Sequence, residues 1–142
     1  MGFKDLEIKK LIKNTYPCEC GLVHNPGMER IEISEKGIEE GVNFILTKAK
    51  GCIMVISDEI TYKIAGTMVI DKLKEKNQDT LSYIIPLKNN VAVVPNESTI
   101  GETLIRMPQG IDFFVAVGSG VVNDVTRNIS YHLGKKYVVI GT

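Results

Sequence analysis

Short apolar segments alternate along this chain with segments whose apolar residues recur at helical spacing. The segment from Cys52 to Ile56 (CIMVI) has no polar residue, which is typical of a strand buried on both faces of a sheet. In the segment from Gly37 to Lys50, apolar residues fall three and four positions apart, which predicts a helix with one buried face. Alternation of this kind predicts an α/β fold, a Rossmann-like, mostly parallel sheet with helices on both faces.

Strands and helices follow one another over the rest of the chain. The predicted strands are Met28 to Ile33, Cys52 to Ile56, Ser82 to Ile85, Val91 to Val94, Ile111 to Val117 and Tyr137 to Ile140. The predicted helices are Gly37 to Lys50, Asp58 to Lys76, Ser98 to Met107 and Val121 to Leu133, with Gly134 as the terminator of the last. In the second helix, the spacing predicts an inner face formed by Ile60, Ile64, Met68 and Leu73. Because ligands of such sheets bind beyond the carboxyl ends of the strands, we expect functional residues there.

The composition limits the classes of partner. Seventeen basic and seventeen acidic side chains balance one another in 142 residues, so no net charge favours nucleic acid or an anionic membrane. No apolar run approaches the roughly 20 residues needed to cross a bilayer, and the polar N-terminus lacks the apolar centre of a secretion signal. Three cysteines are too few for a disulfide scaffold, so we expect a cytoplasmic protein with reduced thiols.

A Gly-x-Gly turn joins the strand that ends at Val117 to the next predicted helix. Gly118 and Gly120 leave room for a ligand, and the helix that follows presents unpaired N–H groups, which together suit a phosphate. A tight turn without a ligand is the alternative, because short glycine motifs often match by chance. The usual dinucleotide fingerprint would need a third glycine in place of Asn123 and a later acid, and the chain has neither. A Walker motif is also excluded, because no Gly-Lys-Ser/Thr follows the turn.

Two acidic residues accompany this turn. Asp58 follows a buried strand directly, where its carboxylate could accept both hydroxyls of an adenosine ribose. The position by itself favours the alternative, in which Ser57 or Asp58 caps the helix that begins there, and the two roles are compatible. Asp124 lies about one turn into the helix after the glycines. Since its charge would repel a diphosphate, it suits a neutral partner such as a nicotinamide amide or a substrate hydroxyl. The alternative for Asp124 is an acid that offsets the helix dipole.

Cys18, Cys20 and His24 could supply three ligands to zinc. Their spacing departs from the usual Cys-x2-Cys knuckle, and only Cys52 could complete a set of four. The alternative is an irregular loop with reduced cysteines and a solvent-facing histidine. The sequence favours the loop and leaves the metal site open as the alternative, so we assign no metal ligand from the sequence.

Three segments resemble the sn-glycerol-1-phosphate dehydrogenase family. They are DEITYKIAG from Asp58, GSGxxND from Gly118 and ISYHLGKKY from Ile129. The segment CECGLVH from Cys18 also resembles the start of bacterial members. This family belongs with glycerol dehydrogenases, iron-type alcohol dehydrogenases and dehydroquinate synthases. The resemblance covers almost the whole chain, and its order, with the acid first and the glycine turn later, is specific to that superfamily.

The resemblance implies an NAD- or NADP-dependent oxidoreductase that interconverts sn-glycerol 1-phosphate and dihydroxyacetone phosphate in phospholipid metabolism. Its N-terminal, dehydroquinate synthase-like domain binds the dinucleotide, and a helical C-terminal domain holds zinc, nickel or iron with one Asp and two His. Residues 1–142 would be the NAD(P)-binding domain, and the metal-binding domain would be absent from this chain. We therefore expect the chain alone to be inactive on a polyol phosphate. Members of the family commonly self-associate, so a homo-oligomer is possible.

The family's site residues carry over by position. Asp58 would meet the adenosine ribose, and the diphosphate would lie on Gly118, Ser119 and Gly120. Ser119 replaces the middle glycine of the more widespread Gly-Gly-Gly turn, which is a mild departure. Asp58 also favours NAD, because a 2′-phosphate beside a carboxylate is repelled, although such relatives can tolerate NADP.

At the other end of the dinucleotide, Asp124 would lie near nicotinamide or substrate, and Thr142 would begin the family's Thr-Ala stretch beside nicotinamide. His24 and His132 occur in segments that the family does not use for its metal. Two alternatives stay open: a relative that acts on glycerol, another alcohol or a dehydroquinate precursor, and a non-catalytic nucleotide-binding module.

Overall fold

A computed structural model of the protein describes residues 10–12, 14–87 and 92–142. The chain divides into two compact units, the first ending at Gly37 and the second beginning at Ile38. The first unit contains an antiparallel hairpin of β1 (Tyr16–Pro17) and β2 (Val23–His24).

The strand predicted for residues 28–33 is wrong, because this segment forms neither helix nor strand. Met28 and Ile33, at its two ends, are both exposed. In an isolated extended segment, the backbone N–H and C=O groups bond to water instead of to a partner strand. Burial of its apolar side chains is too small here to offset the conformational entropy that an ordered strand would lose.

The second unit contains a four-stranded parallel sheet in the order β4-β3-β5-β6. The strands are β3 (Cys52–Asp58), β4 (Thr80–Ile85), β5 (Ile111–Val117) and β6 (Lys136–Ile140). The helices are α1 (Gly37–Lys48), α2 (residues 59–75, in three parts given below), α3 (Glu97–Ile105) and α4 (Gly120–His132). The predicted α/β fold with a parallel sheet is confirmed.

The central strands β3 and β5 are buried on both faces. On one face, side chains such as Val55 and Val115 pack in a cluster with residues of α1 and α2. On the other face, Met54 and Phe114 pack in a cluster with residues of α3 and α4. Continuous apolar runs therefore reflect two helical layers, as the sequence predicted.

Helix α2 differs most from its prediction. It begins as an α-helix (Glu59–Thr61), widens into a π-helical turn (Tyr62–Gly66) and continues as an α-helix (Thr67–Glu75). Three of the four residues predicted for its inner face are in fact exposed: Ile60 by 61%, Ile64 by 62% and Met68 by 47%. Only Leu73 of that set is buried.

The inner face of α2 is instead built partly from small residues. Thr61, Ala65 and Gly66 are buried, and Val69 continues this face. The π-helical turn contacts both β3 and β5. Small side chains allow this close approach: a Cβ added at Gly66 would lie 3.6 Å from Ser57 Oγ of β3. The sequence prediction followed the larger apolar side chains, whereas close packing on the sheet selected the smaller ones.

The segment between β4 and α3 also departs from its prediction. Residues 92–94, predicted as part of a strand, form neither helix nor strand, and residue 91 lies outside the described residues. Helix α3 begins after Asn96, whose Oδ1 accepts a hydrogen bond of 3.0 Å from the N–H of Thr99. Across the described parts of the chain, every helix is too short or too polar to span a membrane.

Candidate functional site

The strand order creates a switch point between β3 and β5. From β3 the chain proceeds to β4 on one side, whereas β5 pairs along the other side of β3. In open parallel sheets, ligands bind in the crevice at such a point, beyond the carboxyl ends of the strands. Ile56 and Ala116 are register partners. Two positions further along each strand come Asp58 and Gly118, so the structure brings the predicted acid and the predicted glycine turn to adjacent strand ends.

Asp58 caps helix α2. Its Oδ1 accepts hydrogen bonds from the N–H groups of Ile60 at 3.0 Å and Thr61 at 2.7 Å. In return, the hydroxyl oxygen of Thr61 accepts from the N–H of Asp58 at 3.1 Å. The capping role is thus confirmed. Both helix bonds use Oδ1, and the second carboxylate oxygen of Asp58 has no hydrogen-bond partner among the described residues, so it is available to a ligand.

Gly118 is packed tightly at the end of β5. Its N–H donates to the carbonyl of Ile140, at the end of β6, over 3.0 Å, and its φ is +156°. A Cβ added at this position would lie 2.9 Å from Val122 Cγ2 and 3.0 Å from Thr61 Oγ1. The same threonine that completes the Asp58 cap therefore lies against Gly118. Packing alone is sufficient to require glycine at position 118. This agrees with the alternative stated above, a tight turn without a ligand.

Replacing Gly118 with alanine is expected to destabilise the protein by about 1 to 3 kcal/mol, because the new methyl group overpacks a site bounded by a β-branched valine and a capping threonine. Urea unfolding measures the change. Gly120→Ala is the matched control, since a Cβ there meets no atom within 4 Å. Equal unfolding midpoints for the two variants would show that this contact can relax without cost.

Ser119 and Gly120 present the open part of the turn. Both are exposed. Ser119 precedes α4 in an extended conformation, but its hydroxyl makes no capping hydrogen bond, and the first turn of α4 contains no acidic residue. The N–H groups of this first turn lack intrahelical partners, as at any helix start. Such an end attracts anions, so the turn can receive a phosphate.

Asp124 and Thr142 lie further from the switch point along their elements. Asp124 forms an ion pair of 3.4 Å with Arg127 on α4, and both side chains are substantially exposed. An exposed pair of this kind contributes little stability. Thr142 follows two positions after Ile140, the residue that accepts the hydrogen bond from Gly118, so it lies beyond the carboxyl end of the strand next to β5. Contact of either residue with nicotinamide stays a prediction.

Asn123 was missed as a candidate by the sequence analysis, which used it as the position of a missing glycine and as part of the GSGxxND segment but gave it no role. Its Oδ1 is buried and has no hydrogen-bond partner among the described residues. An unpaired buried acceptor costs about 1 to 3 kcal/mol. A ligand or water that donates a hydrogen bond to this oxygen would recover that free energy. The only hint in the sequence was a polar, weak helix former directly after the glycine turn.

A cleft of about 230 Å³ lies at the end of β4. It is lined by residues of β4, α3 and the segment between them, among them Tyr83, Ile85, Asn96 and Thr99. Ile85 is the register partner of Asp58. The cleft therefore lies at the end of the strand that pairs with β3, on the side of β3 away from β5.

Two cysteine environments differ in character. Hydrogen bonds from the backbone and the thiol of Cys20 lower the pKa of the Cys18 thiol below its ordinary value. By contrast, burial raises the pKa of the Cys52 thiol, and the nearby Asp79 carboxylate adds to the rise. Cys52 is thus a protonated, partly buried thiol, which agrees with the ordinary role expected for a cysteine in a strand.

A sequence model of the iron-containing alcohol dehydrogenase family matches residues 32–142. The chain belongs to this family. Its curated relatives include glycerol-1-phosphate dehydrogenases (NAD(P)+) from two bacilli. The protein from Halalkalibacterium halodurans is 29% identical over 126 residues, covering 88% of this chain and 32% of the relative. The protein from Bacillus licheniformis is 29% identical over 127 residues, covering 88% and 31%.

The chain thus spans about a third of the length of these curated relatives of the iron-containing alcohol dehydrogenase family. Among solved structures, glycerol dehydrogenase from Schizosaccharomyces pombe superposes with a TM-score of 0.61, at 11% identity, over 74% of this chain and 25% of that one. At that identity the likeness establishes the fold alone. The resemblance found in the sequence is confirmed by the family match and by these relatives.

The family description names iron, which needs several ligating side chains around one ion. Within the described ranges, the carboxyl edge of the sheet offers no group of three such side chains; the group of that kind is Cys18, Cys20 and His24 of the first unit. The described residues at this edge therefore do not fit a catalytic metal, and we assign no chemical step to a metal held by them.

Proposed function

We propose that this chain is the NAD(P)-binding part of a dehydrogenase that interconverts sn-glycerol 1-phosphate and dihydroxyacetone phosphate. The observation that carries the proposal is the adjacency of Asp58 and the turn at Gly118 to Gly120 at the switch point of the sheet. The names of the relatives support the substrate and the cofactor, since both bacillar proteins are glycerol-1-phosphate dehydrogenases (NAD(P)+).

A bound dinucleotide would span the carboxyl ends of the strands, with its adenine end toward β4 and its nicotinamide end toward β6. The N-terminus of α4 would hold its diphosphate, because Gly120 leaves open space there and Ser119 offers a hydroxyl. The second carboxylate oxygen of Asp58 would accept hydrogen bonds from the adenosine ribose, and the cleft at the end of β4 would receive the base. Thr142, which follows the end of β6, would lie beside the nicotinamide half.

The role of this part in the reaction is to bind and orient the cofactor. When bound in its oxidised form, nicotinamide would supply the acceptor for the hydride that leaves the carbon of the secondary alcohol, and the hydroxyl proton would be released. Orientation of the two reactants lowers the entropic part of the barrier.

Calorimetric titration with NAD+ tests the proposed site. We expect saturable binding by the unaltered chain and affinity at least about tenfold lower for Gly120→Val, because the valine side chain fills the space in which the diphosphate lies. Thermal stability should stay nearly unchanged, since a Cβ at position 120 meets no atom within 4 Å.

Gly101→Val is the matched control for this titration. Gly101 lies in α3 and also has no atom within 4 Å of an added Cβ, but it does not line the cleft. Equal affinities for the unaltered chain, Gly120→Val and Gly101→Val would remove the glycine turn from the binding site. No binding by the unaltered chain would contradict the proposal as a whole.

A further inference from the structure

Three metal-ligating side chains converge on the hairpin of the first unit. Cys18 and Cys20 lie in the turn between β1 and β2, and His24 ends β2. One ligand atom from each of the three lies within 4.8 Å of the other two. Cys20 Sγ and His24 Nε2 are already 3.2 Å apart.

The backbone holds this arrangement. The N–H of Cys18 donates to the carbonyl of Leu22 at 3.0 Å, and the N–H of Gly21 donates to the carbonyl of Cys18 at 3.0 Å. Gly21 has a φ of +81°, a left-handed conformation that favours glycine. Pairing of Tyr16 with His24 fixes the position of the histidine. The backbone conformation of the turn therefore brings the three side chains together.

We propose that Cys18, Cys20 and His24 bind a Zn²⁺ ion. Thiolate sulfur and imidazole nitrogen are the ligands that this ion prefers, in a tetrahedral arrangement. Standard zinc–ligand bond lengths place neighbouring ligand atoms about 3.6 to 3.8 Å apart. The longest separation in the cluster is within about 1 Å of that range, so small side-chain rotations close the site.

The fourth position of the ion is taken by water. The cluster comprises three protein ligands among the described residues, and all three are exposed, so solvent reaches the ion. Each cysteine that binds has lost its proton, which is released on metal binding.

The hairpin gives a physical reason for such an ion. Its strands pair over only two residues each, and a short two-stranded hairpin is marginally stable in water. Because the ligands come from the turn and from the second strand, a bound ion links the two ends of the segment from Cys18 to His24. The ion would thus stabilise a structure that its hydrogen bonds hold weakly.

Titration of the reduced, metal-stripped and tag-free protein with Co²⁺ tests the proposal, because Co²⁺ can take the place of Zn²⁺ and its absorption spectrum reports its ligands. We expect one equivalent to produce thiolate-to-cobalt charge-transfer absorption in the near ultraviolet, together with the strong visible bands of a tetrahedral ion. Added Zn²⁺ should abolish both. The charge-transfer band reports sulfur ligation specifically, so a metal bound by Asp and His residues would not produce it.

Variants assign the ligands. Cys18→Ser, Cys20→Ser and His24→Ala should each weaken Co²⁺ binding by about 100-fold or more, since changes to outer-shell partners alone weaken metal sites by about 10- to 100-fold. Cys52→Ser is the matched control and should bind Co²⁺ as the unaltered protein does, because Cys52 is a β3 thiol outside the cluster.

Two results would overturn the proposal. One is the absence of the charge-transfer band in the reduced, unaltered protein at saturating Co²⁺, a measurement that does not depend on any variant folding. The other is a band that persists in the double variant Cys18→Ser/Cys20→Ser, which would place the sulfur ligand elsewhere.

Discussion

Replacing Phe114 with alanine is expected to lower the free energy of unfolding by about 3 to 5 kcal/mol, the range for an aromatic side chain removed from a packed core. Phe114 lies in the middle of β5, is fully buried and packs in the cluster that joins the sheet to α3 and α4. A small domain has only about 5 to 15 kcal/mol to lose. The variant should therefore unfold at a much lower urea concentration, as measured by circular dichroism.

Ile105→Ala is the control for this loss. Ile105 is also a large apolar residue, but it ends α3 and is 86% exposed. Its truncation should change the free energy of unfolding by no more than about 0.5 kcal/mol. A loss at Phe114 as small as that at Ile105 would mean that the two-sided burial of β5 does not hold the sheet together.

Replacing Asp58 with asparagine is expected to weaken NAD+ binding by roughly 10- to 100-fold while leaving the fold stable. A hydrogen bond to a charged group contributes about 1.5 to 3 kcal/mol, and the ribose hydroxyls would lose their charged acceptor. Asparagine keeps a side-chain oxygen for the N–H groups of Ile60 and Thr61, so the cap on α2 is retained. Asp58→Ala should also lose about 1 kcal/mol of stability, because it removes the cap.

Asp112→Asn is the matched control for Asp58→Asn. Asp112 also accepts two backbone hydrogen bonds with one carboxylate oxygen, from Lys50 at 2.8 Å and Gly51 at 3.1 Å. It lies near the amino end of β5, whereas the switch point lies at the carboxyl ends of the strands. Its replacement should therefore leave the affinity for NAD+ unchanged.

The ratio of NAD+ to NADP+ affinity separates ribose binding from a structural role of Asp58. If the carboxylate meets the ribose, its removal also removes repulsion of a 2′-phosphate, so the preference for NAD+ should fall. A uniform loss of affinity for both dinucleotides, with the ratio unchanged, would indicate that Asp58 acts only through the helix it caps.

Short patterns in the sequence correctly predicted two kinds of element: strands buried on both faces, and a helix that begins after a glycine turn. The run CIMVI lies within β3, and β5 was predicted with its observed bounds, because a strand between two helical layers needs apolar side chains in both directions. The start of α4 followed from the glycine turn. Where a strand needs a partner that the sequence does not show, as at residues 28–33, the prediction failed.

Helix α2 shows the limit of periodicity. Two sets of residues, one with Ile60 and Ile64 and one with Thr61 and Ala65, have the same spacing and differ by one position. The sequence favours the larger apolar side chains, but the distance between helix and sheet decides which set fits. That distance is a property of the packed molecule, since it depends on β3 and β5 together.

The amino-acid sequence by itself determined the α/β class, the position of the glycine turn and the family to which the chain belongs, because these depend on short-range patterns and on residues close together in the chain. Only the tertiary structure decided that Asp58 and Gly118, 60 positions apart in sequence, end neighbouring strands, and that Cys18, Cys20 and His24 meet in one turn. Strand order depends on contacts between segments far apart in the chain, and short-range patterns of side chains do not show which segments pair.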